Sequence, residues 1–309
     1  MMREVVATRY LMPLRSGGSV PGVVEADDLG TYVVKFTGSA QGRKALVAEV
    51  IVGELGRRLG LRVPELVRAR FDPALGAHEP HQEVRDLLNA SAGLNLGMDY
   101  LSGGVDLTPE LAETFRVDPQ EAGRIVWLDA LTANVDRTVH SSNLMVWPTR
   151  GTAPARLWLI DHGAALVFHH RWDGTAPDRT YDFRHHALGR YAPDTRAADA
   201  ELAPRVTEAL LREVVAVVPD EWLTEEAGLD TPEAVRAAYV GWLAARAACS
   251  AAWLPTDFPG AEELAAEEHA RRERSRRGRP GWLQRVPDLH GKPAAAQDWS
   301  VHLGDADAD

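Results

Sequence analysis

Apolar and polar positions along the chain set out most of its elements. The run LGTYVVKFTG, Leu29–Gly38, places Tyr32, Val33, Val34 and Phe36 between glycines, which predicts a strand. The rhythm then changes over Ala45–Leu61. There Leu46, Val47, Val50, Ile51, Leu55 and Leu59 recur at three- and four-residue steps, the pattern of an amphipathic helix. Val5–Val67 therefore reads as a small unit of strands plus one helix, and Arg68–Gln82 reads as loop. Gly93–Gly104 is short, apolar and glycine-bounded, as suits a connection between two lobes. A helix is predicted over Pro119–Thr132 with Ile125, Val126, Leu128 and Leu131 turned to the core. Further helices are expected over Glu201–Val218 and Thr231–Trp253, with a break at Pro219–Glu221. The apolar runs Leu144–Trp147 and Leu157–Ile160 flank the turn-rich PTRGTAPA, which predicts an antiparallel hairpin.

After Pro255 large apolar residues become scarce, and Ala261–Gly281 runs from acidic to strongly basic. Acids near the start and bases near the end suit a helix over Glu262–Arg274, with disorder expected beyond Arg276. The organisation expected is an N-terminal lobe over 1–104, a larger lobe over 105–255 and a charged tail over 256–309. The fold class is α+β: a small mixed β/α lobe followed by a larger, mostly helical one.

Composition narrows the setting. With 309 residues the chain is long enough to bury a large core in two lobes. A formal net charge of −11 argues against a general nucleic-acid-binding surface. Cys249 is the single cysteine, which excludes an internal disulfide and fits a reducing cytoplasm. It is expected to be a small buried residue. No eighteen-residue apolar run suggests a membrane span, and no signal-like segment opens the chain.

The candidate chemistry lies in NVDRTVHSSNLMVW, Asn134–Trp147, and LWLIDHG, Leu157–Gly163. An Asp-Arg pair, then an Asn opening an apolar run, then an Asp closing another, is the order that phosphoryl transfer from ATP needs. One carboxylate orients the attacking hydroxyl, while an amide oxygen and a second carboxylate hold a metal on the phosphates. Asp136 and Arg137 fill the first positions, and Asn143 and Asp161 the metal positions. Asp129, on the preceding helix, is placed to accept hydrogen bonds from the loop backbone or from Arg137.

Upstream, Lys35 stands within a strand, where an amine is costly unless it meets an anion; otherwise it is an edge lysine facing solvent. Glu49 flanks the apolar stripe of the following helix and is the expected partner, with Glu54 as rival. Gly17, Gly18 and Ser19 form a turn-rich hairpin that either covers phosphates or is an ordinary turn. Arg43 and Lys44 open the helix against its dipole, next to either an anion or a solvated loop. Asp99 and Tyr100 flank backbone groups that either meet adenine or belong to an ordinary edge strand. His140, His162, His169, His170, His185 and His186 raise the rival of a metal hydrolase, but no HExxH or comparable ligand spacing accompanies them.

Taken together, Gly17–Ser19, YVVKF with Lys35, the helix with Glu49, NVDRTVHSSN and LIDHG resemble the HipA-like kinases over about Val5–Pro255. The resemblance implies a fold shared with phosphatidylinositol kinases and, distantly, protein kinases. It implies that Lys35 holds phosphates, Asp136 is the base, Asn143 and Asp161 bind Mg²⁺, and Arg137 supports the loop. Two departures are visible. Ser141 stands where kinases commonly carry the metal-binding Asn, so it is the second candidate ligand beside Asn143. The chain also starts close to its first expected strand. The extra N-terminal domain of the toxin members, with its antitoxin and DNA partnership, is therefore not expected. The function implied is an ATP- and Mg²⁺-dependent kinase acting on a hydroxyl, that of a protein Ser/Thr before a lipid or small alcohol. The alternative is a pseudokinase that holds nucleotide without transfer.

Overall fold

The computed structural model describes residues 2–14, 20–147, 155–223 and 228–260, and beyond them 262–264, 266, 267, 269, 270 and 273. Five strands close into a barrel: β1 (Glu4–Pro13), β2 (Gly22–Ala26), β3 (Thr31–Lys35), β4 (Leu66–Phe71) and β5 (Gly93–Asp99). Their spatial order is β1-β2-β3-β5-β4. Neighbours run antiparallel except β1 and β4, whose parallel pairing closes the ring. The helix α1 (Gly42–Arg58) carries the chain from β3 to β4.

The segment expected to be loop from Arg68 to Gln82 begins instead with most of β4. Val67, Ala69 and Phe71 are buried, while Arg68 and Arg70 turn to Glu4 on β1. This is a two-residue period whose polar half is arginine, so the charges hid a strand rather than excluding one. The remainder is a 3₁₀ turn at Pro73–Gly76 and α2 (Gln82–Asn89).

A second sheet holds β6 (Val105–Asp106), β7 (Leu144–Trp147) and β8 (Arg156–Leu159) in that order, all antiparallel. β7 and β8 are the expected hairpin, with Leu144 opposite Leu159 and Trp147 opposite Arg156. The helices are α3 (Pro109–Thr114), α4 (Pro119–Leu131), α5 (Thr195–Leu202), α6 (Glu208–Val215), α7 (Pro232–Ala248) and α8 (Ser250–Trp253). The helix expected over Glu201–Val218 is divided. Pro204 removes a backbone donor after α5, and Thr207 restarts the chain by accepting the Leu210 N–H at 3.2 Å. Partly buried Cys249 caps α7 rather than lying in the core.

The architecture is bilobal, with a barrel lobe and a helical lobe. The barrel has its own core around Val24, Val34, Phe36, Val67 and Phe71. α1, however, packs with the helical lobe: Leu46, Val50, Ile51 and Leu55 share one core with Trp127, Leu128, Leu131 and Leu159. Gly56 allows this approach, because a Cβ there would stand 3.2 Å from Leu128. Arg58 pairs with Glu213 at 2.7 Å, and Arg124 donates to the Leu59 carbonyl at 2.8 Å. The helix bearing Glu49 is thereby gripped by the lobe it faces. Among the described residues no helix is long and apolar enough to cross a membrane.

Candidate active site

Lys35 is the last residue of β3 and is 6% exposed. Its ammonium donates to Glu49 Oε1 on α1 and, at 2.7 Å, to Asp161 Oδ1. Glu49 is wholly buried. Glu54, five residues on, lies about 140° further round the helix and cannot share that direction. Burial by itself lowers the Lys35 pKa, but Glu49 and then Asp161 outweigh it and raise the value. The Asp161 carboxyl is opposed by burial yet held below its ordinary range by Lys35, whereas burial leaves Glu49 raised despite Lys35. One charged amine thus serves two carboxylates, of which Asp161 keeps a side chain 44% exposed.

The β7–β8 hairpin brings the second half of the cluster. Asn143 precedes β7 and Asp161 follows β8, and the Ile160 N–H donates to the Asn143 carbonyl at 3.1 Å. The Asn143 amide donates to Asp136 Oδ2 at 3.3 Å, and the Ser141 hydroxyl donates to Asn143 Oδ1 at 3.0 Å. Asp136 is raised from the ordinary aspartate value, by partial burial first and by the nearby Asp161 charge as well. A raised carboxyl is a better proton acceptor once ionised.

Beneath the loop lies a buried polar network. Arg137, 1% exposed, donates from Nε to Asp129 Oδ2 at 2.7 Å. Its Nη1 reaches the carbonyls of Asn143 and, at 3.4 Å, Ile160, so one guanidinium ties the hairpin's open end to α4. Asp129 also accepts from the Asn134 amide at 2.8 Å and meets His186 Nε2 at 2.9 Å. Its carboxyl is lowered to about 2: burial works against ionisation, and Arg137 and His186 overcome it. Asn134 in turn accepts the Asp136 N–H at 3.3 Å. His162 is buried, with Nδ1 3.3 Å from Arg137 Nη2, which assigns the acceptor role to Nδ1 and the proton to Nε2. Burial, then Arg137, lowers its pKa to about 3. Asn134, His162 and His186 had no place in the sequence-based site. Only the position of Asn134, two residues before Asp136, hinted at one.

Gly17, Gly18 and Ser19 lie outside the described residues; at the base of that hairpin the Leu14 N–H donates to the Pro21 carbonyl at 2.6 Å. Arg43 and Lys44 reach carbonyls of the helical lobe, Glu221 O at 3.0 Å and His169 O at 2.6 Å. The Asp99 and Tyr100 N–H groups donate to Glu65 O at 2.9 Å and Thr31 O at 3.0 Å. β5 lies between β3 and β4 rather than at an edge. Of the six histidines, His169 bonds Tyr239 and His170 at 2.9 and 3.2 Å. Among the described residues no group of three or more His, Cys, Asp or Glu could hold a metal ion. The oxygens of Asn143 and Asp161 make a hard donor set, and such a set fits Mg²⁺ or Mn²⁺, which need few protein ligands when phosphate oxygens and waters complete the shell.

A model described as HipA-like kinase matches residues 8–253. Comparison with curated proteins finds no match. Among solved structures the chain is similar to the Helicobacter pylori proinflammatory kinase CtkA, with a TM-score of 0.50 and 12% identity, covering 80% of this chain and 99% of that one. It is also similar to the Golgi casein kinase solved with Mn/ADP bound, with a TM-score of 0.42 and 13% identity over 84% of this chain and 77% of that one. The likeness to CtkA is one of fold.

Proposed function

The chain belongs to the HipA-like kinase family, and on that premise we propose that it transfers the γ-phosphoryl group of Mg-ATP to the hydroxyl of a protein serine or threonine. The observation that supports this reading best is the convergence of five residues from separate stretches. Lys35 bonds Glu49 and Asp161, while Asn143 bonds Asp136 and shares a hairpin end with Asp161. Phosphoryl transfer asks for positioning and charge stabilisation more than for covalent help, and this cluster supplies both.

Each residue has a role in this reading. Lys35, held on its strand by Glu49, anchors phosphate oxygens. Asp136 accepts a hydrogen bond from the acceptor hydroxyl and takes its proton. Asn143 Oδ1 and the Asp161 carboxylate, which also accepts from Lys35, would hold the metal. Bound Mg²⁺ supplies charge neutralisation between the phosphates. Arg137, through Asp129, keeps Asp136 and Asn143 in register without meeting substrate.

The test is transfer of label from [γ-³²P]ATP by the purified chain, alone and with mixed protein acceptors, beside Asp136→Asn. The parent is expected to transfer label, and the variant to bind Mg-ATP while losing about 10²–10⁴-fold in rate. Equal rates would overturn the assignment of Asp136, and binding without transfer in the parent would mean a nucleotide-holding module.

A further inference from the structure

The chain continues past the stretch that the family covers, and the continuation folds back on the segment beside the candidate catalytic loop. Thr195 donates to the Pro255 carbonyl at 2.7 Å. Phe258 lies against Gly189, where an added Cβ would stand 3.1 Å from its ring. The Leu264 N–H then donates to the Gly260 carbonyl at 3.0 Å, and residues 262–264, 266 and 267 are helical.

That helix presents acids at positions four apart, which share a face. Arg184 Nη2 donates to Glu263 Oε1 at 2.8 Å and to Glu267 Oε1 at 2.7 Å. Asp257 stands 4.0 Å from Nη1, and Glu267 lies 3.8 Å from His185 Nε2. The clasp adjoins the loop of Asp136. The His185 carbonyl accepts the Val139 N–H at 3.0 Å, His186 bridges to Thr138, and the Ala187 N–H donates to the Arg137 carbonyl at 3.1 Å.

We propose that Arg184 and His185 form a docking site for an acidic segment of the acceptor protein, and that the chain's own Glu263 and Glu267 occupy this site in cis. The proposal rests on the protein-kinase reading and names a feature of its acceptor. The pairs are part-exposed, with Arg184 at 38%, Glu263 at 57% and Glu267 at 39%. Ion pairs this open to water are weak and exchange readily, which suits an occupant that an acceptor can displace. An acidic segment held there would deliver its neighbouring hydroxyls next to the loop, and the helix in cis sets a threshold that the acceptor must exceed.

The probe is a fluorescein-labelled peptide with the sequence of residues 257–270, added to the full-length chain at low salt and followed by anisotropy. Glu263→Gln/Glu267→Gln removes the internal competitor without touching the active cluster. It should bind the peptide roughly fivefold more tightly than the parent, as expected when a competent state is freed. Adding Arg184→Ala to that variant should abolish the gain. Equal binding by parent and double variant, or a gain that survives loss of Arg184, would overturn the proposal. The Mg-ATP shift in Tm is read on the same samples. Its absence throughout would defeat the kinase reading while leaving the docking result to stand by itself.

Discussion

Asn143 and Asp161 stand at one end of the β7–β8 hairpin in the same left-handed backbone conformation, with φ of 47° and 55°. Asparagine and aspartate are the side-chain-bearing residues that enter this region at least cost. The Ile160 N–H to Asn143 carbonyl bond holds the two left-handed positions beside each other. The residue types that bind a hard cation are thus also those that tolerate the geometry needed to present it.

Asn143 therefore has two separable contributions. Asn143→Ala should raise the Mg²⁺ concentration needed for half-maximal turnover, and Ser141→Ala should raise it much less. Asn143→Gly removes the amide while easing the backbone, so a Mg²⁺ requirement as high as that of the alanine variant would assign the effect to the lost oxygen. A Mg²⁺ titration of activity decides the matter. If Ser141→Ala is the more damaging change, the ligand is Ser141.

In the proposed reading Lys35 contributes to stability as well as to phosphate binding. Lys35→Met leaves Glu49, wholly buried, beside Asp161 with no cation between them. Breaking a buried pair from one side costs about 3–5 kcal/mol, part of which protonation of Glu49 can relieve. Chemical denaturation should show that loss, and Lys35→Met/Glu49→Gln should recover much of it. Mg-ATP is expected to raise the Tm of the parent through binding to the folded state, and neither variant should show that shift. Undiminished nucleotide binding by either would remove Lys35 from the site.

Acid should destabilise the fold before most carboxylates titrate. His162 and His169 are both lowered from 6.5 to about 3, by burial first, then by Arg137 and His170 respectively. Between these values the unfolded chain binds the more protons. Stability is therefore full above the unfolded value and falls as pH drops, by about 1.4 kcal/mol per pH unit for each histidine. The Asp129 contribution disappears only in a lower window, between 3.8 and about 2. Denaturation of His162→Gln from about pH 6 to about pH 4.5 should show a slope shallower than the parent's by one proton. An unchanged slope would mean that His162 is charged in the fold.

The elements that sequence alone determined are those whose signal is local. The stripe from Leu46 to Leu59 sets which side of α1 is apolar, and so where Glu49 points; Lys35 ends an apolar strand fourteen residues earlier, and the two meet. The two apolar runs flanking PTRGTAPA likewise specify a hairpin, and with it the meeting of Asn143 and Asp161. β4 was hidden because its outward half is arginine, whose partner Glu4 lies 66 residues from Arg70. The bonding of Arg43 and Lys44 to carbonyls, the closure of β5 between two neighbours, and the Asp129–Arg137–His186 network were decided by tertiary structure alone. Period reports which face of an element is apolar, whereas the partner of a buried charge depends on which surfaces the folded chain brings together. His186 reaches Asp129 across 57 residues of chain, and no spacing along a sequence records that contact.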